Sequence, residues 1–231
     1  RAHYYMGECA RRTGLSEKAA THYKTALDSD GASGSLKLLA AKGFADISYA
    51  LQNYSDAVTG YTYLQTYGDN IVSRNEGLWG LGRSYYAMQS YAAAIPVWER
   101  IHILEPESVE GTHHLAKCYL STSQRDRAKE LFRLISGKTK TPEGAEAAWF
   151  RIQDTYDSGN FEDVQKMVYD LVDSKCNQTY YLAKSFITLG DAFMELGNET
   201  QAKATFESVL NGYTDSEEIT SAVKMRLEKL K

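Results

Sequence analysis

A chain of 231 residues with 43% hydrophobic and 24% charged side chains is too apolar for disorder, and it is long enough for one large domain or two ordinary ones. Its formal charge of −4 offers no basic footprint for nucleic acid, and no apolar run approaches the ~18 residues that insertion across a bilayer needs. Cys9, Cys118 and Cys176 are odd in number and far apart, so they imply no disulfide framework, and only three prolines leave room for long helices.

Helical patterning is under way from Ala2. Met6-Gly7, Gly14, Ala19, Tyr23 and Ala26 recur at three- and four-residue steps with one break, which predicts two amphipathic helices joined by a tight turn. The pattern returns with Phe44-Ala45, Tyr54, Ala57 and Tyr61. It is clearest over 78–106, with Leu78, Leu81-Gly82, Tyr85, Tyr91, Ala94-Ile95, Trp98 and Pro106. Gly82 and Ala94 sit where two helices approach closely, and Pro106 follows the second helix, where it stops the helix at no cost in hydrogen bonds. Pro96 falls inside that helix and predicts a local kink. Leu115-Ala116, Tyr119, Ala128 and Phe132 form a fourth pair, and Phe186, Leu189-Gly190, Phe193, Gly197, Ala202 and Phe206 a sixth.

The fifth pair departs most. Trp149, Ile152 and Tyr156 fit the first-helix pattern only if the turn over 157–160 is one residue short. That register puts Gln153 and Val164 at the small-residue positions and predicts a looser or re-angled pair. The markers Ala19, Ala57, Ala94, Ala128, Val164 and Ala202 are separated by 38, 37, 34, 36 and 38 residues. The polar stretches 28–35, 67–74 and 136–141 absorb the extra length. A last helix is expected over 215–231, with Ser216 as N-cap, Glu217 and Glu218 in its first turn, and Lys229 and Lys231 near its C-terminal end.

This recurring helix–turn–helix resembles the tetratricopeptide repeat (TPR), whose 34-residue signature carries Leu-Gly, Tyr, Ala, an aromatic and Pro at the offsets seen over 78–106, with Leu78 in place of the usual Trp. The resemblance implies an all-α, right-handed superhelical solenoid of about six helix pairs plus a C-terminal capping helix. The TPR array spans 1–213, in units of about 1–33, 38–70, 75–107, 109–141, 145–176 and 183–214, and 215–231 is the cap. Terminal repeats need a polar outer face. The last helix supplies one, so the natural C-terminus is expected at or near this point. Nothing equivalent precedes Ala2, so the chain is expected to be a fragment that continues on its N-terminal side.

Chemistry-bearing motifs are few. His114 and Cys118 have a spacing that suits zinc, but Cys118 and Cys9 occupy a small packing position of the repeat, so metal binding is not expected. Gly77, Gly80 and Gly82 lie inside a helix with the wrong spacing for a phosphate loop. His3, His22, His102, His113 and His114 join no catalytic motif. No enzyme activity and no cofactor are expected. Asn53-Tyr54-Ser55, Asn177-Gln178-Thr179 and Asn198-Glu199-Thr200 match the glycosylation pattern, which has meaning only in a eukaryotic secretory setting.

The resemblance implies that first helices line a concave groove that holds peptides. Its positions map to Tyr4, Glu8 and Arg11, then Lys42, Asp46 and Tyr49, then Trp79, Arg83 and Tyr86, then His113, Lys117 and Leu120, then Phe150 and Asp154. The aromatic and cationic middle, Tyr49, Trp79, Arg83, Tyr86, His113 and Lys117, is the expected partner-binding groove. Tyr4, Glu8 and Asp46 do not reproduce the clamp with which chaperone-type TPRs grip a C-terminal carboxylate. The expected function is a non-catalytic scaffold for a protein or peptide partner. The last pair resembles C-terminal repeats of long TPR proteins of Bacteroidota, which favours a periplasmic or cell-envelope setting and a role in envelope assembly. The alternative is a regulatory module of a larger cytoplasmic enzyme or transcription regulator.

Overall fold

The computed structural model describes residues 1–230, so the expected end of the last helix at Lys231 lies outside the described residues. Among them are thirteen α-helices and no strand: α1 (Ala2–Arg12), α2 (Ser16–Asp28), α3 (Gly34–Ala50), α4 (Tyr54–Tyr67), α5 (Ile71–Ala87), α6 (Tyr91–Leu104), α7 (Val109–Ser121), α8 (Arg125–Ile135), α9 (Pro142–Asp157), α10 (Phe161–Asp173), α11 (Thr179–Glu195), α12 (Glu199–Gly212) and α13 (Glu217–Glu228). The chain forms two compact units, one of residues 1–107 with 117–123, the other of 108–116 with Gln124 onward.

The odd-numbered helices α3, α5, α9 and α11 begin three to four residues before the expected unit starts. For α3, α5 and α9, side-chain caps in the preceding loops allow this extra turn. Ser33 accepts from the Leu36 amide, Asn70 from Ser73 and Thr141 from Gly144, each satisfying an otherwise orphaned N–H. Ser216 does the same for Ile219 at the start of α13. The helix α6 runs through Pro96 to Leu104.

Every turn within a pair has the same three-residue form. Its middle residue is left-handed: Gly14, Gln52, Gln89, Ser123, Gly159 and Gly197 have φ between 57° and 79°. The following amide reaches back over the turn, as in Leu15 N–H to the Ala10 carbonyl and Asn160 N–H to Thr155. This double closure is the Schellman arrangement. It corrects the fifth pair, whose turn, Ser158-Gly159-Asn160, is of normal length.

Counting back from the left-handed residue aligns all six pairs. Seven positions before it stand Gly7, Ala45, Gly82, Ala116, Ile152 and Gly190, and nine positions after it Tyr23, Tyr61, Trp98, Phe132, Val168 and Phe206. The small residue makes room for the ring. A Cβ on Gly82 would lie 2.8 Å from the Trp98 ring, and one on Gly7 2.8 Å from Tyr23. The next pair yields to the same ring: Gly43 faces Tyr23, and Gly80 faces Tyr61. In the fifth pair, Ile152 and Val168 are both buried in one cluster. A medium pair replaces the small-and-large pair at similar total volume, which cores tolerate. The small-residue position there is therefore Ile152, not Gln153.

In the first unit α1 to α6 each pack on the next helix, and in the second α8 to α13 do so, with α9 also touching α11 and α11 touching α13. Arg226 of α13 holds Asp191 of α11 through two bonds of 2.6 and 2.7 Å, a planar fork on a carboxylate.

Candidate functional site

Three positions of each first helix, ten, six and three before the left-handed residue, fall on one stripe of the helix surface. They are Tyr4, Glu8 and Arg11; Lys42, Asp46 and Tyr49; Trp79, Arg83 and Tyr86; His113, Lys117 and Leu120; Trp149, Gln153 and Tyr156; and Ile187, Asp191 and Met194. The first four sets match the sequence expectation. The fifth does not. Phe150 faces α8, with its ring 4.5 Å from Phe132 and Arg125 stacked above it, and Asp154 is tied to Arg125 and Lys129. Trp149 and Gln153 take their places, displaced by the one-residue shift in register.

In the first unit this stripe forms an open cleft of about 400 Å³, lined by Lys42, Asp46, Tyr49, Tyr61, Trp79 and Arg83 among others. Trp79 is its aromatic wall. Its indole N–H donates to Glu105 at 3.1 Å, and its ring meets Trp98 edge-on at 5.5 Å. Both contacts fix one rotamer, so the exposed part of the ring is preorganised. Arg83 stacks over that ring at 5.2 Å, presenting a cation on an aromatic face. Lys42 on the opposite wall pairs with Glu76 and, at 3.6 Å, with Asp46. Burial acts to lower the Lys42 pKa, but the two carboxylates outweigh it and raise it. Tyr61 donates to Asp46 at 2.9 Å; burial first, and then Asp46, holds the Tyr61 proton on. Asp46 thus points into the cleft as a carboxylate already held by a cation and a phenol.

Of the six expected groove residues, Tyr49, Trp79 and Arg83 share this cleft. Tyr86 is one turn along α5, with its ring against Tyr91. Lys117 is half-buried in the first unit. His113 belongs to the second unit, where its ring nitrogen Nε2 lies 2.9 Å from Glu146 and the Tyr181 hydroxyl donates to that same carboxylate. Lys184 stacks on Trp149 at 3.7 Å, and Gln153 accepts from Thr188. His113, Trp149 and Gln153 of the second unit are thus each engaged by a neighbouring first helix.

Sequence reasoning named Lys42 and Asp46 as groove positions but missed Tyr61 and Glu76. Tyr61 reads as pure core, and only its hydroxyl reaches the cleft. Glu76 precedes Trp79 and Arg83 at helical spacing, a signal that was available. Cys118 is fully buried, which pushes its thiol up to about 12, and the Nδ1 of His114 lies 2.9 Å from the Glu110 carbonyl oxygen. Cys9, expected in a packing site, is exposed: no preceding pair among the described residues covers that face of α1. No helix among the described residues is long and apolar enough to cross a membrane.

Residues 180–216, which hold most of α11 and all of α12, match the family model described as tetratricopeptide repeat. No curated protein sequence matches the chain. Solved structures share the fold at low identity. The apo quorum sensor NprR from B. thuringiensis is similar at 14% identity over 97% of this chain and 68% of its own, with a TM-score of 0.56. BtubC (BKLC) from P. vanneervenii is similar at 15% identity over 93% and 92%, with a TM-score of 0.52. YrrB, described as a TPR protein with an unusual peptide-binding site, is similar at 13% identity over 96% and 90%, with a TM-score of 0.50. Along its described length the chain thus shares the fold of these structures, and its last helix pair matches the tetratricopeptide-repeat model.

Proposed function

We propose that the chain is a non-catalytic scaffold that holds a partner protein or peptide on the groove face of its first unit. The observation that carries this reading is the cleft between α3 and α5. A rigid tryptophan, a stacked arginine and two tyrosines converge there with fixed carboxylates, and aromatic and arginine side chains of this kind dominate binding energy at interfaces. The peptide-binding site named for YrrB adds support from a protein of the same fold. In the second unit Trp149, Gln153 and Asp191 are each engaged by a neighbouring helix, whereas Trp79 is held from behind, which favours the first unit as the binding half.

The test is a selection from a random peptide library on the full chain, followed by titration of the selected peptides by fluorescence polarisation. The Trp79→Ala, Arg83→Glu double variant is expected to bind them at least about tenfold more weakly. Equal affinity would remove the cleft from consideration. For the setting, the style of the last repeat supports the cell envelope, in a role in envelope assembly. Recovery of the native protein from the periplasmic fraction of its host is the expected result. Recovery from the cytosol would favour the regulatory module of a larger enzyme or transcription regulator.

A further inference from the structure

The common register exposes one residue that breaks it. Eight positions before the left-handed turn residue, four pairs carry a core side chain: Phe44, Leu81, Leu115 and Leu189 are between 1% and 7% exposed. The first pair carries Met6, apolar but exposed, and the fifth carries Arg151, also exposed and the one charged residue at this position in the six pairs. A cation in a core position sacrifices packing, and departures of this kind from a consistent pattern mark functional or strained sites. Beside Arg151 the molecule has an open cavity of about 360 Å³, set among α9, α10 and the loop that follows α8. That volume lies within the range of small-molecule sites.

The lining has two halves. On one side are the Arg151 guanidinium, the nearly buried hydroxyl residues Ser136 and Thr139, and Lys166 at the rim. On the other, Met167 and Ile152 give an apolar floor. Arg151 donates one bond to Ser136 Oγ at 2.9 Å and makes no ion pair among the described residues. The one carboxylate of the lining, Asp170, faces Lys166 at 3.8 Å. Ser136 in turn donates to the Arg133 carbonyl, and Thr139 pairs with Ser174, so these hydroxyls are already partnered and fix the wall that holds the guanidinium. A guanidinium fork with no anion of its own, beside an apolar floor, is chemically complementary to an oxyanion carried on an apolar body.

We propose that this cavity binds a small amphipathic anion, with Arg151, positioned by Ser136, receiving its carboxylate or phosphate group and Met167 and Ile152 its apolar part. The test follows the backbone amides of Ser136, Gly137 and Thr139 by NMR while the full chain is titrated with hexanoate, hexyl phosphate, acetate and inorganic phosphate. At least one six-carbon probe is expected to give saturable shifts at these amides, and which one saturates at lower concentration distinguishes carboxylate from phosphate recognition. Arg151→Leu is the decisive variant. Leucine fills this position in three other pairs, so the fold is expected to persist, yet binding should weaken at least about tenfold through loss of charge-assisted bonds. Arg151→Gln provides a second variant with a polar side chain of similar reach, and it is expected to weaken binding by a similar factor. Absence of saturable shifts in the wild type, or unchanged affinity in both variants, would overturn the assignment. Equal affinity for acetate and hexanoate, and for phosphate and its hexyl ester, would overturn its apolar half.

Discussion

Gly82→Ala isolates the contact on which each helix pair is built. Two effects of opposite sign compete. Glycine in a helix interior costs about 1 kcal/mol relative to alanine, so the substitution gains that much in backbone terms. Against it, the new Cβ would lie 2.8, 2.9 and 3.1 Å from three ring carbons of Trp98. The ring is fully buried and has Trp79 edge-on against it, so it has little room to yield. Overpacking costs about 1–3 kcal/mol, and a ring this confined puts the cost in the upper part of that range, so the balance is a net loss of about 1–2 kcal/mol. The control is Gly212→Ala at the end of α12, where nothing lies within 4 Å of the added methyl; it is expected to be neutral or slightly stabilising. The assay is urea unfolding followed by tryptophan fluorescence, comparing midpoints at constant slope. Trp98→Phe in the Gly82→Ala background should recover part of the loss, with a coupling of at least about 0.5 kcal/mol in a double-mutant cycle. A Gly82→Ala protein as stable as wild type, or stabilised as much as Gly212→Ala, would refute the reasoning.

The turns predict a pair of opposite effects. Gln89, at φ 57°, bears a left-handed strain that glycine relieves, so Gln89→Gly is expected to stabilise by up to about 1 kcal/mol, whereas Gly159→Ala, at φ 79°, is expected to destabilise by about 1–2 kcal/mol. Thermal unfolding of both checks this, and shifts in the same direction would contradict it. Cys118 predicts both a reactivity and a pH dependence. Its thiol, raised by burial from 9.0 to about 12, should resist a disulfide reagent at pH 8 until the chain unfolds, while exposed Cys9 reacts at once. The stability it contributes is complete below its ordinary value of 9.0 and is lost as pH rises toward 12. Tyr23, raised from 10.0 to about 12 by burial and then by Glu8, adds loss in the same direction. The urea midpoint should therefore decline between pH 9 and 12, and Cys118→Ala should flatten part of that slope. A midpoint constant across this range would count against both assignments.

The helix pairs are legible in the sequence because one physical demand repeats. A ring in the second helix needs a gap in the first, and Gly7 with Tyr23, Gly82 with Trp98 and Gly190 with Phe206 spell out that demand in residue types. The fifth pair satisfies the same demand with Ile152 and Val168, which carry no such contrast in size, so the eye slips to Gln153 and the register shifts by one. That single step moves Phe150 and Asp154 into the groove, where the structure has Trp149 and Gln153. Gly159 holds the correct register, since glycine at the middle of a three-residue turn is the cheapest way to a left-handed φ, as Gly14 and Gly197 also show. Counting from that turn, rather than from the apolar pattern, places all six pairs. The groove is harder to read, because its character depends on pairings between adjacent repeats. Nothing in the residues alone says that Glu146 is shared by His113 and Tyr181, or that Trp79 is pinned by Glu105 and left open beside Arg83. Two stripes of similar composition therefore diverge in role. Lys42 and Glu76 join α3 to α5 much as Glu146 joins its neighbours, so the difference lies in the rings: Trp149 is capped by Lys184 of the next first helix, whereas Trp79 is fixed from behind by Trp98 and Glu105, and its other face is the surface proposed for a partner.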